Sequence, residues 1–67
     1  MEYGTVKWWN SSKGFGFIIT ENENEDELFV HVSDFYSTTK SLREGQKVEF
    51  DIRQDMKGAK AVNVRGL

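Results

Sequence analysis

From Gln46 to Arg53 the chain alternates apolar and polar residues, strictly so from Lys47 on. Val48, Phe50 and Ile52 fall on one face and Lys47, Glu49, Asp51 and Arg53 on the other, which is the period of a half-buried strand. Four further strands follow from composition and punctuation. Tyr3 to Asn10 and Phe15 to Thr20 are rich in β-branched and aromatic residues, and Asn10 to Gly14 between them supplies turn chemistry, so the pair reads as a hairpin. Leu28 to Val32 is the third strand, and Ala59 to Arg65 is the last, entered through a turn at Asp55 to Gly58. Ser33 to Ser41 reads as a loop with a helical turn, closed by Leu42 to Gly45. The expectation is an all-β fold with residues 1–67 as a single domain. Five strands in so short a chain leave exposed edges, which closure into a small barrel removes.

Alternation also assigns the faces. A barrel has one interior, and an apolar set fills it: Val6, Ile18, Leu28, Val30, Val32, Val48, Phe50, Ile52, Val62 and Val64. Phe15, Phe17, Phe29 and His31 then point outward. Trp8 and Trp9 are adjacent and point opposite ways in a regular strand, with Trp8 on the face of Val6; only a bulge or sharp bend exposes both. A second layer of structure to cover the outward aromatics is beyond a chain of 67 residues. An exposed aromatic patch on a small protein calls for a partner.

Composition narrows the partner. Leu, Ile, Val and Phe make up 17 of 67 residues, enough to fold, although a chain this size buries only about 60% of its unfolded surface. The chain has no Cys and one His, which excludes disulfide scaffolds, Cys/His zinc sites and thiol chemistry and suits a reducing cytoplasm. The apolar runs are too short to span a membrane. The net charge of −2 conceals a segregated pattern: Glu21, Glu23, Glu25, Asp26 and Glu27 crowd one connection, leaving nine bases against six acids elsewhere. Nucleobases match the flat aromatic faces, and Lys7, Lys13, Lys57 and Lys60 are placed to follow phosphates. The face suits an unpaired strand, because duplex readers use a helix or ribbon in the major groove. If the acidic connection borders this face, its carboxylates repel incoming phosphate; the plainer reading is a solvated loop.

Two other function classes fit less well. A small-barrel interaction module would dock a peptide on the same aromatic face, but lysines interleaved with aromatics favour a phosphate-bearing partner. His31, Ser33 and Asp34 supply the residue types of a hydrolytic triad, yet neighbours at one strand end do not converge as a nucleophile, base and acid must. The acidic connection lacks the ligand spacing and central Gly of a calcium loop. No enzyme activity, metal or cofactor is expected.

Lys13-Gly-Phe-Gly-Phe-Ile18 resembles the first ribonucleoprotein motif, and Leu28-Phe-Val-His-Val32 the second, of the bacterial cold shock proteins and the wider cold-shock domain. Val6-Lys-Trp-Trp-Asn10 upstream and Leu42 to Phe50 downstream extend the likeness over essentially the whole chain. The resemblance implies a five-stranded antiparallel Greek-key barrel of the oligonucleotide-binding type, acting as a monomer on single-stranded RNA and DNA, with roles as an RNA chaperone and regulator of transcription or translation. It places Lys7, Trp8, Lys13, Phe15, Phe17, Phe29 and His31 on the ligand face, Asn10 on its rim, and Lys57, Lys60 and Glu27 at ligand-touching positions. Trp9 replaces the usual Phe, which enlarges the stacking surface if it points outward. Val32 and Thr39 stand where Phe is usual, with Tyr36 the nearest aromatic substitute, and Ala59 replaces a common Pro.

Overall fold

The computed structural model describes residues 1–22, 26–36, 39 and 41–67. Among these residues five strands run Glu2–Asn10 (β1), Phe15–Thr20 (β2), Glu27–His31 (β3), Lys47–Asp55 (β4) and Gly58–Gly66 (β5), with a 3-10 turn at Val32–Asp34. They close into a barrel in the order β1-β2-β3-β5-β4, so the expected all-β barrel is the fold observed. The named strands pair antiparallel except β3 with β5, which are parallel and meet at Phe29 and Lys60; just beyond the 3-10 turn, Phe35 also bridges Val64 in parallel.

Local chemistry sets the hairpin joining β1 and β2. The Asn10 carboxamide Oδ1 accepts from the Lys13 amide at 3.0 Å. Gly14 adopts φ 73°, a left-handed conformation that glycine takes without strain. Its carbonyl accepts from the Val32 amide at 2.8 Å, tying the turn to the end of β3. Within the hairpin the register slips between Val6 and Trp8. Val6 pairs with Ile18 in the core, but after this bulge Trp8 pairs with Phe17 and Trp9 with Gly16. The strands approach so closely here that a Cβ on Gly16 would run into the Trp8 carbonyl and the Trp9 ring.

The core consists of Val6, Ile18, Leu28, Val30, Leu42, Val48, Phe50, Ala61 and Val64, with Trp9, Phe35 and Ala59 packed against it. Two sequence expectations need correction. Val32 is 43% exposed, because the chain leaves β3 at His31 and enters the 3-10 turn, where strand alternation no longer applies. Ile52 is 41% exposed: β1 pairs with β4 only as far as Phe50, and beyond it β4 runs on against β5 alone. Val62 is buried as expected, at the edge of the central cluster rather than within it. It pairs with Asp51 beside a register shift at which Asn63 takes φ 52°, a conformation Asn tolerates better than most residues. Leu42, from the segment closing the β3–β4 connection, and Ala61 complete the core instead.

Candidate functional site

Trp8 on β1, Phe17 on β2, Phe29 on β3 and Lys60 on β5 are successive register partners, forming one row across four strands. At ordinary strand spacing the row is about 14 Å wide. A second tier on the same hairpin pairs Asn10 with Phe15 and Phe15 with His31. The rings of the two tiers touch: Trp8 lies 5.4 Å from Phe15 and 6.3 Å from Phe17, and Phe29 lies 5.8 Å from Phe15 and 5.9 Å from Phe17 between centroids. Trp8 and Phe29 are exposed and Phe15 and Phe17 half-buried. The outward aromatic set is thus a continuous surface, with Trp8 brought into it by the bulge.

The same bulge turns Trp9 the other way. Its ring lies 5.2 Å from Phe35 at the margin of the core, away from the four-ring surface. Tyr36 is engaged by a different partner. The Arg65 guanidinium lies 4.2 Å above its ring, and Arg65 in turn meets Glu49 at 3.4 Å, a cation–π contact continued by an ion pair.

Polar groups frame the aromatic rows. His31 Nδ1 accepts from the Ser33 amide at 3.1 Å and lies 2.9 Å from Ser33 Oγ. With Nδ1 accepting, the neutral ring carries its proton on Nε2 and presents it as a donor. Asn10 is committed to the turn, and Lys13 is exposed on it. Lys7, pushed out at the bulge, pairs with Glu27 at 3.0 Å. Lys57 and Lys60 line a cleft of about 410 Å³ with Phe29, Gly58 and Ala59. Within the acidic connection Glu21 pairs with Lys47 at 2.9 Å. Glu23 and Glu25, on which the expected repulsion of phosphate rests, lie outside the described residues.

Asp34 was absent from the binding residues expected from sequence. Its carboxylate pairs with Lys60 at 3.6 Å across the β3–β5 seam. The partnership depends on the parallel register of Phe29 with Lys60, 31 residues apart, which no local pattern reports. The same contact disposes of the triad geometry: Asp34 faces Lys60, and His31 meets Ser33 through the nitrogen that an orienting carboxylate would need. Among the described residues no three His, Cys, Asp or Glu side chains gather to hold a metal, and no helix is long and apolar enough to cross a membrane.

A closed five-stranded barrel with both motif strands side by side defines an all-β barrel of the oligonucleotide-binding type. The chain matches the model of the "Cold-shock" DNA-binding domain over residues 2–67. It is 59% identical over 66 residues to Cold shock protein CspC of Bacillus subtilis (strain 168), covering 97% of each chain. Against the Cold shock-like protein of Aquifex aeolicus (strain VF5) the identity is 52% over 65 residues, 96% of this chain and 91% of the relative. The Major cold shock protein of Streptococcus pyogenes serotype M1 is 48% identical over 68 residues, covering 100% of this chain and 98% of the relative. The chain belongs to the cold-shock domain family, a non-enzymatic family of nucleic-acid-binding domains.

Proposed function

We propose that this protein binds single-stranded RNA and DNA with little regard to sequence, and acts as an RNA chaperone and regulator of transcription or translation. The observation that carries the reading is the row Trp8, Phe17, Phe29 with the Phe15 ring packed against Trp8 and Phe29. Each ring offers a flat face to a base, at about 1–3 kcal/mol per stacked base. Unpaired bases expose such faces and a duplex hides them, so the surface selects single strands. Stacking reads neither base edges nor the sugar, which gives tolerance of sequence and of RNA or DNA. His31 Nε2 and the Glu27 carboxylate add a donor and an acceptor for base edges at the margin. Lys13 and Lys57 follow the phosphates. A short row binds a short segment, holding RNA open without arresting the machinery that reads it.

Titration of the tryptophan fluorescence with oligothymidine, oligoadenosine and their duplex tests this. Both single strands quench Trp8 and the duplex binds far more weakly. Equal binding of duplex and single strand, or quenching by proline-rich peptides instead, contradicts it.

A further inference from the structure

Lys60 stands at the end of the aromatic row, in register with Phe29 and on the wall of the cleft beside it. Its ammonium is placed where a strand lying over Phe29 would bring a phosphate. The Asp34 carboxylate already lies 3.6 Å from it, and the two side chains are only 29% and 21% exposed. The pair of Lys7 with Glu27 is about half exposed on both sides, open to screening and easily exchanged. Salt screens the half-buried pair much less.

We propose that Asp34 is a built-in counterion for Lys60, which withholds this lysine from phosphate and limits the affinity of the site. The inference rests on the single-strand reading of the aromatic face. A phosphate arriving at Lys60 also meets the Asp34 carboxylate, so the pair presents no net charge and neutralises nothing on the strand. The ligand is then held beside Phe29 by stacking, and its affinity stays insensitive to salt at this end of the row. A chaperone must release its strand, and a capped electrostatic term keeps release fast.

Asp34→Asn removes the charge and keeps the shape. In titrations with oligothymidine from 50 to 200 mM salt it is expected to bind several-fold more tightly than wild type at low salt. One added phosphate contact steepens the slope of log affinity on log salt by about 0.7, so the gain shrinks about 2.6-fold across that range. Adding Lys60→Gln to Asp34→Asn abolishes both changes. Asp34→Ala carries the same expectation should the Asn variant not fold. An unchanged affinity and slope in a folded variant overturns the proposal while leaving the single-strand reading intact, as does a gain that survives Lys60→Gln. Failure of both Asp34 variants to fold also overturns it, since the carboxylate is then a clamp on the seam. Absence of binding by the wild type overturns both readings together.

Discussion

Phe50 is fully buried at the centre of the barrel, whereas Phe17 lies in the outward row between Trp8 and Phe29. The same truncation therefore has two different consequences. Phe50→Ala is expected to cost about 3–5 kcal/mol, close to the whole stability of a domain this small, roughly 3–5 kcal/mol. Thermal denaturation followed by circular dichroism will find it largely unfolded. Phe17→Ala gives up ring contacts of order 1 kcal/mol and remains folded, but weakens oligothymidine binding by about 1–3 kcal/mol in a titration. A Phe17 variant that unfolds as Phe50→Ala does would place the ring in the core and remove it from the site. Gly16 carries a prediction of its own. With the Trp8 carbonyl and Trp9 ring in the space of a Cβ, Gly16→Ala forces β1 and β2 apart and destabilises by at least about 1–3 kcal/mol, lowering the midpoint of the same melt and disturbing Trp8.

The hairpin of β1 and β2, the strand character of β4 and β5, and the outward placement of Phe15, Phe17, Phe29 and His31 were all legible in the order of residues, because period-two alternation and turn chemistry are local. What was not legible depends on where strands end and slip. Val32 continues the apolar alternation of β3 but lies past its last paired residue. Ile52 obeys the pattern of β4 yet has no β1 beyond it. The fate of Trp9 turned on a bulge whose position no residue type announces. Ile52 tests this account: with its side chain 41% exposed, Ile52→Thr is expected to shift stability by only about 0.5 kcal/mol or less in chemical denaturation. A loss of several kcal/mol would mean that the strand is covered after all.

Across the whole molecule, the acids outnumber the bases, yet a row of rings and lysines faces one way. The lysines give the surface less positive charge than their number suggests, because Glu27 holds Lys7 and Asp34 holds Lys60. Four unopposed lysines on a single strand set a slope of log affinity on log salt near −3. The observed slope is expected to be distinctly shallower, measured by titration over a series of salt concentrations; a slope of −3 or steeper would show that both carboxylates let go on binding. The central claim, that the rings on β1, β2 and β3 form the single-strand surface, is tested most directly by mapping a bound strand onto the barrel. In nuclear magnetic resonance spectra of the protein titrated with a short oligothymidine, the Trp8 indole, the Phe15, Phe17 and Phe29 rings and the His31 ring are expected to shift. Tyr3 and Lys47, on the paired strands β1 and β4 away from that row, are expected to stay in place. Shifts centred on Tyr3 and Lys47 with the four rings unmoved would contradict the account.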